Sequence, residues 1–123
     1  MATKKPIKES IKSVSIQLEV SIFKIDTGHF FAFCPSLNLS SYGDSVEDAK
    51  EAFNEALQLF IEETIKMNTF ERELLKHGWS LSYKPTPVFT QPPVHVKLAL
   101  DFPNYKFLKS VKKSFNVPQE IFA

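Results

Sequence analysis

Residues 14–23 alternate without a break. Val14, Ile16, Leu18, Val20 and Ile22 are apolar, and Ser15, Gln17, Glu19, Ser21 and Phe23 stand between them. Successive side chains of a strand point to opposite faces, so this period of two predicts a strand with one buried face. Asp26-Thr27-Gly28 follows as a hairpin turn, with Gly28 free to take a positive φ. The aromatic run from His29 to Cys34 returns antiparallel, and Pro35 ends it because proline cannot donate to a ladder. Leu37, Leu39 and Ser41 then alternate with Asn38, Ser40 and Tyr42 as a third strand.

At Gly43-Asp44-Ser45 the period changes. Asp44 or Ser45 can cap a helix, and Glu47, three positions after Asp44, fits a capping box. Over residues 45–67, Val46, Ala49, Phe53, Ala56, Phe60 and Met67 form one stripe, widened by Leu57 and Ile61, which predicts a long amphipathic helix. A short helix, FERELLKH, ends at Gly78 with Lys76 and His77 in its last turn, where cations suit the helix dipole. Residues 79–83 alternate as a fourth strand, and the proline-rich stretch 84–93 reads as a stiff, extended connector. Val94, Val96, Leu98 and Leu100 then alternate as a fifth strand. Residues 105–115 set Phe107, Leu108, Val111 and Phe115 against Lys106, Lys109 and Lys113, a basic amphipathic helix. Pro118 can open a further helix at Gln119, Glu120 and Ile121.

The expected class is α+β, in the order β-β-β-α-α-β. A small, mainly antiparallel sheet carries a long helix on one face, followed by a C-terminal strand and basic helix. Four segments result: a mobile basic arm over 1–13, a sheet-and-helix domain over 14–83, the connector over 84–93, and a strand–helix extension over 94–123.

The chain of 123 residues is one domain's worth, with apolar and charged content ordinary for a soluble protein. Its formal charge of +1 hides an uneven distribution. Residues 45–75 hold eight acidic against three basic side chains, whereas residues 76–123 hold seven lysines against Asp101 and Glu120. An acidic middle thus lies between two basic flanks. The single Cys34 excludes an internal disulfide or a multi-cysteine metal site, and its place in an aromatic strand predicts a buried, inert thiol. No apolar run approaches membrane-spanning length and no secretory core follows the N-terminal lysines, so a cytoplasmic location is expected.

Candidate chemistry is sparse. Three glycines supply no phosphate-binding loop, and no metalloprotease or nucleophile-elbow motif is present. His29, His77 and His95 lie in different elements without partners at ligand or triad spacing. Glu47, Glu51 and Glu55 stack at i, i+4, which suits a solvated face better than a cation site. No enzyme and no cofactor are expected.

One run resembles a known family. FFAFCPSL followed by GDSVEDA, from Phe30 to Leu37 and from Gly43 to Ala49, resembles the diagnostic stretch of HicB-like antitoxins. Ser45 replaces the usual threonine and Asp48 the second glutamate, and the likeness extends over roughly residues 14–79. The resemblance implies a partial ribonuclease-H-like fold without the full acidic set for cutting RNA. It implies a protein that binds and occludes HicA, a small RNA-cleaving toxin. Glu19 and Asp26 are the only acidic residues of the first hairpin, too few for a two-metal nuclease.

Charge and exposure nominate Pro35, Ser36, Leu37, Asn38, Glu51 and Glu55 as toxin contacts. The alternative is a nucleic-acid-binding transcriptional regulator using Lys106, Lys109, Lys112 and Lys113. Many family members end in a DNA-binding module, but a ribbon-helix-helix needs a second full helix that residues 117–123 are too short to form. Packing of the extension onto the sheet, or pairing across a homodimer, is the competing expectation.

Overall fold

A computed structural model describes residues 13–83, 87–93 and 104–118. The expected N-terminal arm up to residue 12, the strand predicted over 94–100 and the helix start predicted at 119–121 lie outside the described residues. Among those described, the fold is α+β, with a mixed six-stranded sheet and two helices.

Strand β1 (Ser13–Ile25) is the spine of the sheet. β2 (Phe30–Cys34) pairs antiparallel with residues 21–24 of β1, and β3 (Leu39–Gly43) pairs antiparallel with β2. Helix α1 (Val46–Lys66) crosses the sheet, and the short α2 (Phe70–Lys76) leads to β4 (Ser80–Ser82). β4 pairs antiparallel with β5 (Val88–Thr90), which meets β1 in parallel at Ile16. β6 (Tyr105–Pro118) runs antiparallel along β1 from Ser13 to Ile25. A strand has two edges; β6 takes one of β1's for its whole length, so β2 and β5 share the other.

Two expectations fail here. Residues 105–115 form a strand, not a basic helix, and β5 lies inside the stretch read as a connector. Val111, Phe115 and Val117 carry a period of two as well as their helical spacing, and the long open edge of β1 selects the strand. Val117 is fully buried opposite Val14, and Phe115 lies opposite Ile16.

The main core lies between the sheet and α1. Val14, Ile16, Leu18, Val20 and Ile22 of β1 are at most 2% exposed and meet Ala49, Phe53 and Leu57 of α1 in one cluster with Leu74 and Trp79. Each full burial of such a side chain contributes about 1.5–3 kcal/mol. Met67, expected on the apolar stripe, is 64% exposed because the helix ends at Lys66.

The opposite face of the sheet holds a second, aromatic cluster that simple alternation does not predict. Phe23, placed by the pattern among the polar positions, is 1% exposed and packs on Phe31, Tyr105 and Phe107 with ring centroids 5.6–6.3 Å apart. A register shift helps build this cluster. Ile22 pairs with Lys109 but Phe23 pairs with Phe107, so Leu108 is an extra residue. A one-residue bulge reverses the faces of all that precedes it in the strand, and so turns Phe107 and Tyr105 onto the aromatic face.

Candidate partner-binding surfaces

The run 30–49 folds as one tightly joined unit. β2 ends in a turn over residues 35–38, where Asn38 takes φ 54°, a left-handed conformation asparagine tolerates. The turn is tied to the core: the indole Nε1–H of Trp79 donates to the Ser36 carbonyl at 2.8 Å, and the Cys34 thiol lies 3.3 Å from the Ser36 hydroxyl. Ser36 is 1% and Leu37 3% exposed. Both are among the expected partner contacts, but their side chains are buried in the core and present no surface to a partner. Pro35 is half-buried and Asn38 exposed, so they alone of the four present surface.

Gly43 sits where β3 meets the start of α1. A Cβ there would lie 2.3 Å from the Ala49 nitrogen and 2.6 Å from the Asp48 carbonyl carbon, closer than atoms can approach. Ser45 is the N-cap, its hydroxyl accepting from the Asp48 N–H at 3.0 Å. Asp44 is therefore not the cap, and its carboxylate instead lies 3.6 Å from His29 Nε2. Glu51 and Glu55 are exposed on α1, one turn apart, with Glu62 further along. The turn belongs to the sheet and the carboxylates to the helix above it, so the nominated contacts occupy two layers.

Burial raises the Cys34 thiol above its ordinary range, which keeps it protonated and unreactive at neutral pH. Tyr105 is also raised, first by its hydrogen bond with the Tyr42 hydroxyl at 3.3 Å. Glu19 is half-buried within β1 and Asp26 is exposed in the following turn. Among the described residues, no three His, Cys, Asp or Glu side chains are grouped to hold a metal ion. No helix of the described residues is long and apolar enough to cross a membrane.

The four lysines of the alternative site all lie on β6, which contains no acidic residue. The register splits them. Lys113 and Lys109 share the α1-facing side with Leu18 and Ile22, whereas Lys112, opposite Glu19, points to the other face. Between α1 and β6 run two adjoining hollows of about 300 and 360 Å³. Lys50, Asn54 and Val111 line the first, and Ile61, Glu62 and Phe115 line the second. Sequence reading missed this groove because it appears only when residues 105–118 pair as a strand. Compared with known family models, curated proteins and solved structures, the chain matches none.

Proposed function

We propose that this protein is a non-catalytic, antitoxin-like binder that occludes a HicA-type RNA-cleaving toxin in the cytoplasm. The observation that carries the reading is the way the HicB-like run folds. Its two halves form the β2–turn and the β3–α1 junction of one unit, and Gly43 stands where only glycine fits. The β1–β2–β3 meander, the crossing α1 and the parallel β5 also suit the partial ribonuclease-H-like arrangement that the resemblance implies. The proposed toxin contacts are Pro35 and Asn38 on the turn and the exposed Glu51 and Glu55 on α1, whose charge would steer a basic partner.

Co-expression with the small protein encoded beside this one tests the reading. A complex that silences an RNA-cleaving partner, weakened by Glu51→Lys with Glu55→Lys, is the expected outcome. Undiminished inhibition would remove the helix face from the account, and absence of any complex would remove the toxin.

One observation favours a second reading, a nucleic-acid-binding regulator. β6 carries four lysines and no carboxylate, and Lys112 shares its face of the sheet with the exposed rings of Phe107 and Tyr42. Cationic strands with aromatic platforms hold single strands by phosphate contact and stacking. That reading requires binding that weakens steeply with salt; weak or salt-insensitive binding would end it.

A further inference from the structure

The longest strand edge of the described sheet is the outer side of β6. An antiparallel ladder turns alternate backbone N–H and C=O groups toward the partner strand and the others away from it. β6 pairs with β1 along Ser13 to Ile25, and among the described residues no strand pairs with its other side. Over residues 106–118, and as far as the described residues go, the remaining outward groups therefore form a template for one more strand. β3 and β4, at the ends of the path through the sheet, span only five and three residues.

The bland reading is a guarded edge, because lysines and a bulge are common devices against sheet extension. Two features go further. First, the groove beside this edge is partly apolar: Val111 of β6 and Phe53 of α1 line the first hollow, and Phe115 of β6 lines the second with Leu57 and Ile61 of α1. A strand added to β6 would hydrogen-bond along the edge while every second side chain entered that groove, the geometry by which strand addition gains both affinity and selectivity. Second, the edge strand carries four lysines and no carboxylate. Lys109 and Lys113 lie on the α1-facing side, Lys112 on the other, and Lys50 lines the first hollow, while Glu62 of α1 is the one acidic residue lining the second.

This charge selects the occupant. In a second copy pairing antiparallel about Lys109, Lys109 would oppose itself and Lys106 would oppose Lys112; shifted by one residue, Lys106 would oppose Lys113. Like charges directly opposite one another destabilise a cross-strand pair. An acidic strand meets the reverse situation. We propose that the β6–α1 groove is a docking site for an extended, acidic segment of a protein partner, captured as an additional strand. This site uses neither the residue 35–38 turn nor Glu51 and Glu55, so it stands or falls apart from the toxin-occlusion reading.

The test uses the full chain and a fluorescein-labelled peptide of about a dozen residues, roughly the length of a long strand, alternating glutamate with valine. Controls are the same peptide N-methylated at alternate residues, in either parity, and a lysine-for-glutamate version. Saturable anisotropy with the acidic peptide, at least tenfold weaker for the lysine version and for one methylated parity, is expected. Hydrogen exchange should show new protection in β6, and Lys109→Glu with Lys113→Glu should weaken binding at least tenfold while the free variant keeps its unfolding temperature. Four results would overturn the proposal: no binding, equal binding of every methylated peptide, protection away from β6, or a single-stranded RNA of similar length that binds β6 more tightly. Sedimentation showing a dimer of the free chain with β6 already protected would assign the edge to a second copy instead.

Discussion

Replacing Gly43 by alanine adds one methyl group at the β3–α1 junction, and the structure specifies where it would go. The new carbon would lie 2.3 Å from the Ala49 nitrogen, 2.6 Å from the Asp48 carbonyl carbon and 2.8 Å from the Asp48 Cβ. Two of the three are backbone atoms, so no rotamer change relieves the contact; α1's first turn must move away from β3. Overpacking of this kind costs about 1–3 kcal/mol. The displaced turn also contains the Ser45 cap, which contributes about 1 kcal/mol when intact. The expected loss is therefore about 2–4 kcal/mol. Gly28→Ala is the internal control. Gly28 has φ +97° but nothing within 4 Å of an added Cβ, so its cost is conformational, about 1–2 kcal/mol. Urea denaturation followed by far-UV circular dichroism measures both. With a slope of about 2 kcal/mol/M, Gly43→Ala should lower the midpoint by about 1–2 M, more than Gly28→Ala, at unchanged slope. A Gly43→Ala protein as stable as the parent, or more stable than Gly28→Ala, would refute the argument that steric contact makes glycine necessary there.

Trp79→Phe removes the donor to the buried Ser36 carbonyl and should cost about 1–3 kcal/mol, read by circular dichroism since the only tryptophan is lost. Cys34 should resist a thiol reagent in the native protein and react on unfolding. Because burial raises its folded-state pKa, its contribution to stability is complete below the ordinary value of 9.0 and is lost as pH rises through the higher folded value. Denaturation midpoints above that pH should therefore fall more steeply for the parent than for Cys34→Ala, and parallel slopes would contradict the burial argument. A chain ending before Tyr105 would strip β1 of its partner along Ser13 to Ile25 and uncover Val14 and Ile16. It should show no cooperative thermal transition; cooperative unfolding near the parent's temperature would mean that β6 is dispensable.

Local signals carried the elements that were read correctly. The alternation of Val14 through Ile22, the turn at Gly28, the stripe of Ala49, Phe53 and Leu57, and Gly78 after α2 each depend on neighbours a few residues away. Part of the candidate surface was equally legible: Glu51 and Glu55 are exposed because their spacing puts them opposite the apolar stripe. Ser36 and Leu37 were not, since what buries them includes Trp79, 43 residues beyond Ser36. β5 escaped notice for a similar reason. Three residues between prolines carry no period of their own and become a strand only by meeting Ile16 and β4.

β6 divides the two kinds of information most clearly. By itself the sequence determined that residues 105–118 would be basic and would bury one apolar stripe, because composition and side-chain spacing are properties of the chain. It could not choose between helix and strand there, since Phe107, Leu108, Val111 and Phe115 suit one period while Val111, Phe115 and Val117 suit the other. The tertiary structure decided, by presenting a long unpaired edge of β1 whose backbone groups needed partners. That same pairing made the bulge at Leu108, the aromatic face around Phe23 and the groove beside α1. All three arise from contacts between residues far apart in the chain, and no local pattern encodes them.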